Sequence, residues 1–284
     1  MNVNAFFRLV RFEHAIMLAL AVFIGETVVL GKIPDLASPI IILSLLVPIF
    51  SEMGSFALND YLDIETDRLN KRDDRPLANN ELSPKFAFYF SWISIFISIG
   101  LAYFINLYAF AIAIIFNLLA IAYNYKLKDL PLVGNSYIGL TMAIPFIFGN
   151  YVVSDKLAPV AIVLALLGLV SGIAREIIKS VEDMKGDSEA RKSKTLPILI
   201  GESSARKIAS ILYLLFIPLT VLPFMYGLNL NPMNVPLIGL ADLGILYLAV
   251  SVWTTGNAEV MKMARKSSLV CLFIGLIGLL LGIF

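Results

Sequence analysis

Asp60, Asp63, Glu65 and Asp67 fall within the short stretch LNDYLDIETD, residues 58–67. On a helix, Asn59, Asp63 and Asp67 share one face at i, i+4 and i+8, with Asp60 adjacent. Like charges at that spacing oppose a helix by about 0.2–0.5 kcal/mol per pair unless a cation joins them. Carboxylates supplemented by an amide oxygen are hard donors. Mg2+ typically takes one or two carboxylates from protein and fills its remaining positions with water and phosphate oxygens. A second acidic pair with the same spacing, Asp183 and Asp187, stands 120 residues further on. Arg68, Arg72 and Arg75 follow the first motif, Lys126 and Lys128 stand in YNYKLKDLPLVGN, and Arg175 and Lys179 precede the second motif. Arg offers a planar fork to phosphate oxygens and Lys a mobile point charge. Metal, acids and bases together describe a diphosphate clamp.

The elements that must position these groups are membrane helices. At 59% hydrophobic residues, 15% charged and a mean hydropathy of +0.85, the chain is too apolar for a soluble protein of 284 residues. It reads as an all-α, polytopic membrane protein. Runs long enough to cross a hydrocarbon core of about 30 Å lie near 14–31, 38–58, 84–105, 108–125, 134–153, 157–178, 206–227, 235–254 and 267–284. The first follows Arg8 and Arg11 but ends in no small-residue cleavage site, so it is read as a retained span. Nine spans place every Lys and Arg except Lys32 and Lys156 on one side, a bias that identifies the cytoplasmic face. A single Cys, Cys271, and a single His, His14, exclude disulfide, zinc, haem and iron–sulfur frameworks, so any metal must sit on oxygen.

Two loops on the basic side, roughly 59–83 and 179–205, are long and charged, and each begins with one of the acidic pairs. Their offset suggests a four-helix unit used twice in the same orientation, with a ninth helix added, in one domain spanning residues 1–284. The plain alternative for an isolated acidic pair is a solvated helix face, and the basic residues could all be topology determinants. Two pairs, each where a span meets a basic-side loop, make the stronger signal.

The run NDYLDIETDRLNKRDDRPL resembles the first signature of the UbiA superfamily of intramembrane prenyltransferases, NDxxDxxxD followed by R-P-(L/I). EDMKGD followed by KTLPILIGE is similar to its second signature. The resemblance spans nearly the whole chain and implies nine helices, two four-helix halves plus one, around a central cavity. It implies metal roles for Asn59, Asp60, Asp63, Asp67, Asp183 and Asp187, with Asp63, Asp67, Asp183 and Asp187 as the catalytic set. Arg11, Arg68, Arg72, Lys126, Lys128, Arg175 and Lys179 become candidates for diphosphate or phosphate. RFEHA stands where many members have R-P-x-N; Arg11 matches, while Phe12 and His14 depart from the pattern.

The reaction so implied is Mg2+-dependent departure of diphosphate from an allylic donor. Fixed cations stabilise the leaving group and an apolar enclosure guards the allylic cation from water. REIIKSVEDMKGD, residues 175–187, is similar to the archaeal branch that transfers a geranylgeranyl group to the hydroxyl of geranylgeranylglyceryl phosphate, the second ether bond of archaeal lipids. Extra cations there suit an acceptor carrying its own phosphate. Glu52, shortly before Asn59, is a candidate base, with His14 the other candidate beside the acceptor. Glu26 and Asp242 are further acids inside expected spans, read equally well as functional or as hydrogen-bonded between helices. The expected partners are prenyl diphosphate, a lipid-like acceptor and membrane lipid, with no nucleic acid and no obligate protein partner. An aromatic-acceptor prenyltransferase of quinone biosynthesis is the first alternative. A secondary transporter is the second, disfavoured because the acids gather at the basic rim instead of the bilayer midplane.

Overall fold

The computed structural model describes residues 2–69, 72, 74–184 and 195–284, and every regular element among them is helical. In chain order they are α1 (Val3–Val10), α2 (Phe12–Leu30), α3 (Pro39–Leu62), α4 (Ile64–Leu69), α5 (Pro84–Tyr103), α6 (Leu107–Tyr125) and α7 (Val133–Val153). They continue with α8 (Pro159–Glu182), α9 (Leu196–Ile200), α10 (Glu202–Leu219), α11 (Leu222–Met225), α12 (Asn234–Thr254) and α13 (Ala258–Leu281). Among the described residues nine segments are long and apolar enough to cross a membrane, with α10 and α11 counting as one, Glu202–Met225. Hydropathy located these spans to within a few residues except at the last. There α13 begins at Ala258 instead of near 267, because Glu259, Lys262, Arg265 and Lys266 extend the helix in polar sequence. An apolar-run criterion ends where the charges begin.

The chain forms two compact units, Met1–Phe23 with Pro34–Lys128 and Ile24–Ile33 with Asp129–Phe284. In the first, α3 packs along α5 and both touch α6. Small residues allow the approach: a Cβ on Gly54 would meet the Ser91 carbonyl oxygen at 2.9 Å, and Ser91, Ser94 and Ser98 are buried. Ser98 Oγ donates to the Val47 carbonyl at 2.9 Å, an interhelical bond that serves polar groups where water is absent. α1 is capped by the Asn2 side chain and buries Ala5 and Leu9 against Ala57, Leu77, Leu82 and Ala87. Burial of Leu77 matters for the site, because it folds the segment after α4 back onto α1 and α3.

In the second unit, α7 and α8 pack closely, and α8 also meets α10 and α13. Gly168 and Gly172 lie one turn apart on α8, facing Gly139 and Met142 of α7. A Cβ on Gly168 would stand 2.3 Å from the Met142 carbonyl oxygen, and one on Gly172 would stand 2.9 Å from Gly139 Cα. Close backbone approach of this kind supplies the packing energy that lipid cannot. Gly168→Ala is therefore expected to lower stability by about 1–3 kcal/mol through overpacking. Gly100→Ala, where nothing lies within 4 Å, should be tolerated. Thermal unfolding in detergent reads both, and equal melting temperatures would refute the packing argument.

α3 and α8 are alike in length and at both ends. Each has 24 residues, each opens on a proline, Pro39 or Pro159, and each is capped at its C-terminus by the first acid of a motif, Asp63 or Asp183. Proline at the first helical turn lacks only an N–H that has no partner there in any case.

Candidate active site

The first motif is nearly, but not wholly, one helix. α3 ends at Leu62, Asp63 adopts φ −99° and ψ 6°, and α4 resumes at Ile64. The i to i+4 bonds persist across the break: Asp63 N–H donates to the Asn59 carbonyl at 3.0 Å and Asp67 N–H to the Asp63 carbonyl at 2.8 Å. Asn59, Asp63 and Asp67 thus keep their common face. Asp60, Asp63 and Asp67 are all buried, at 1%, 6% and 5% exposure.

Three cations compensate these three acids. Arg11 Nη2 donates to Asp60 Oδ1 at 3.1 Å, and Arg75 bonds the same oxygen. Arg75 Nε also lies 3.6 Å from Asp67. Lys128 Nζ donates to Asp63 Oδ1 at 2.6 Å from the 3-10 turn Leu127–Asp129 that follows α6. The crowd of like charge is thus neutralised within the protein by residues distant in the chain. Asn59 donates its amide N–H groups to Asp63 Oδ2 at 3.1 Å and Asn124 Oδ1 at 3.0 Å. Asn124 is in turn fixed by the Ser55 carbonyl at 3.2 Å. With both amide hydrogens used, the side-chain Oδ1 of Asn59 is the atom it can offer a ligand.

Arg11 reaches Asp60 by ending α1 in the left-handed region, φ 43°, a conformation that costs a non-glycine residue about 1 kcal/mol or more. Its guanidinium lies 4.1 Å from the Phe56 ring centroid, and His14 meets the same ring edge-on at 5.7 Å. Phe56 is one turn beyond Glu52 on α3, so the two candidates for the acceptor side, Glu52 and His14, share its neighbourhood.

The remaining basic candidates of this unit divide. Arg68 is exposed and holds the Ala78 carbonyl, Asn80 Oδ1 and Glu65, tying down the turn that follows. Arg72 pairs with exposed Asp74 at 3.0 Å. Burial acts to raise the Asp74 carboxyl, but the hydrogen bond and charge of Arg72 outweigh it and hold it below the usual carboxylate range. Lys126 is exposed at the end of α6. Arg75, a third member of the same run, lies against the acids instead, and hydropathy or spacing gives no way to choose it over Arg68 or Arg72. Asn124 was also missed; its signal is an amide interrupting an apolar run.

In the second unit Asp183 caps α8, its N–H donating to the Lys179 carbonyl at 2.9 Å. Arg175, Lys179 and Asp183 follow one another at four-residue intervals on one stripe. Asp187 lies outside the described residues. Asp242 accepts a hydrogen bond from Thr220 Oγ1 at 2.9 Å, an interhelical polar contact, and Glu26 is fully buried on α2.

The donor set of the first motif suits Mg2+. Among the described residues no three carboxylate, imidazole or thiol ligands cluster as a ready-made metal cage. Asp63, Asp67 and the free oxygen of Asn59 offer the small complement of hard oxygens with which Mg2+ binds when phosphate and water complete its shell.

The family model for the UbiA prenyltransferase family matches residues 18–282. A curated relative from Archaeoglobus fulgidus, digeranylgeranylglyceryl phosphate synthase, is 35% identical over 99% of this chain and 96% of its own length. A solved structure described as giving insights into digeranylgeranylglyceryl phosphate synthase in membranes is 28% identical, with a TM-score of 0.77, over 99% of this chain and 98% of its own. A UbiA homolog from Archaeoglobus fulgidus bound to GPP and Mg2+ is 19% identical and shares the fold, with a TM-score of 0.67 over 97% of this chain and 99% of its own.

Proposed function

Because this chain belongs to the UbiA prenyltransferase family, a family of multi-pass membrane proteins, we propose that it transfers a geranylgeranyl group from geranylgeranyl diphosphate to the hydroxyl of geranylgeranylglyceryl phosphate. The product carries the second ether bond of an archaeal membrane lipid. The observation that carries the reading is the full-length match to a relative of that activity, joined to a buried set of three acids and three cations around Asp63. Family membership leaves the transporter alternative without support.

Asn59, Asp63 and Asp67 of the first motif are assigned to Mg2+, as are Asp183 and Asp187 of the second, and the charge bias supports a cytoplasmic placement of each motif. When bound, the metal neutralises the oxygens of the departing diphosphate. The ion pair with Asp63 at 2.6 Å holds the Lys128 ammonium beside the acids assigned to the metal, where it can turn to phosphate oxygens and stabilise the charge that develops as the allylic C–O bond breaks. Asp60 holds Arg11 and Arg75 beside the same acids. Glu52 is assigned to accept the proton that the acceptor hydroxyl loses on bonding to the allylic carbon, and His14 to line the acceptor side.

Purified protein given geranylgeranyl diphosphate, Mg2+ and either geranylgeranylglyceryl phosphate or an aromatic quinone precursor is expected to yield only the ether product, read by mass spectrometry. Turnover should disappear in EDTA and return with Mg2+. A carbon-linked aromatic product would replace this reading with the quinone one, and EDTA-resistant turnover would remove the metal from it.

A further inference from the structure

Arg175 is a cation of α8 whose Nε meets no hydrogen-bond acceptor among the described residues. It stands two turns before Asp183 and is partly buried, with the Nε atom itself out of contact with solvent. The nearby carboxylates are taken: Glu176 pairs with Lys179 at 3.2 Å, and Glu182 is gripped by Arg265 through contacts of 2.7 and 3.4 Å. Arg175 therefore has only a share in Glu176, which lies beside it but is paired with Lys179. Its remaining titratable neighbour, Tyr213, is fully buried and contributes a hydroxyl, not a charge. A guanidinium inside a membrane helix is retained only where an anion or a dense set of acceptors meets it.

The likeness of α3 and α8 sharpens the point. Counting back from the capping acid, α3 places Asn59 and Ser55 where α8 places Lys179 and Arg175. The corresponding stripe is neutral on α3 and doubly cationic on α8.

We propose that Arg175 receives the phosphate of the acceptor and so selects a phosphate-bearing acceptor over a neutral one. This rests on the function proposed above. Arg175 lies eight residues from Asp183, about 12 Å deeper along α8. The metal-bound diphosphate belongs at the helix end, and the reacting allylic carbon is on its prenyl side, toward the interior of the span. Glycerol has three carbons, so the acceptor's phosphate and its reacting hydroxyl are at most two carbons apart. Once the hydroxyl meets the allylic carbon, this short link lets the phosphate reach inward of the metal, toward the depth at which Arg175 stands, and the unpartnered Nε there favours that direction. Its fork matches two phosphate oxygens at once.

The test compares kcat/KM for geranylgeranylglyceryl phosphate with that for its dephosphorylated alcohol, at saturating geranylgeranyl diphosphate and Mg2+, in full-length wild type, Arg175→Gln and Arg175→Lys. Wild type is expected to prefer the phosphorylated acceptor by about 100-fold, as for a buried charge pair. Arg175→Gln should narrow this to within about threefold, with Arg175→Lys between them. An unchanged preference in Arg175→Gln would overturn the inference, as would a rise in KM for the donor with acceptor preference intact. If wild type turns over only an aromatic acceptor, the proposed function fails as well, which separates the two failures. Should Arg175→Gln not fold, Arg175→Lys decides alone, a preference equal to that of wild type counting against the proposal.

Discussion

Asp63→Ala is expected to lower kcat/KM for prenyl transfer by about 1,000-fold or more while the protein stays folded. Loss of a single preorganised electrostatic group at a reacting centre typically costs about 100- to 1,000-fold. Asp63 serves in two ways, since its Oδ1 holds Lys128 at 2.6 Å and its Oδ2 orients the amide of Asn59 at 3.1 Å. Removing it takes away a metal oxygen, releases the ammonium and frees Asn59 to rotate. The fold survives because Asp63 lies at the junction of α3 and α4 and its removal leaves the apolar packing of Tyr61 and Ile64 beside it in place. Asp183→Ala should act alike, from the matching position on α8. Product formation by mass spectrometry, beside a melting curve in detergent, separates catalysis from stability. Activity within about tenfold of wild type in Asp63→Ala would remove Asp63 from the metal site.

Asp60→Asn is expected to act mainly on stability, by about 3–5 kcal/mol, the usual result of deleting one partner of a buried ion pair. Asp60 is 1% exposed, and it is the carboxylate shared by Arg11 and Arg75. Neutralising it leaves both guanidinium groups without their shared partner, Arg75 keeping only its longer contacts with Asp67 at 3.6 Å and Asp74 at 3.9 Å. Replacing Arg75 as well, in Asp60→Asn with Arg75→Met, should recover part of the loss, because one of the stranded charges goes with it. Chemical denaturation of the single and double variants measures the coupling directly. Additive losses would show that the triad is not a unit.

The two predictions address acids three positions apart that spacing alone treats as equals. Read as a sequence, Asn59, Asp60, Asp63 and Asp67 form one metal-binding set. In the folded chain Asp60 faces Arg11 and Arg75, while Asp63 faces Lys128 and Asn59. One acid holds the N-terminal helix and the following loop together; the other is turned to groups that can exchange partners with a ligand. The choice between Arg68, Arg72 and Arg75 is of the same kind. It depends on Leu77 being buried against α1 and α3, which draws Arg75 to the acids and leaves Arg68 tied to Ala78 and Asn80.

What the sequence determined by itself was local and periodic. Bilayer thickness sets a length for every apolar run, so the spans and the all-α class follow from hydropathy along the chain. Four-residue spacing puts Asn59, Asp63 and Asp67 on one face, and Arg175, Lys179 and Asp183 on another, wherever those helices pack. Tertiary structure decided the pairing of charges. An ion pair forms between side chains whose ends meet within about 4 Å, and which ends meet depends on loop closure and burial far from either residue. Arg11 and Asp60 are 49 positions apart, Lys128 and Asp63 are 65, and no pattern along the chain records that they touch.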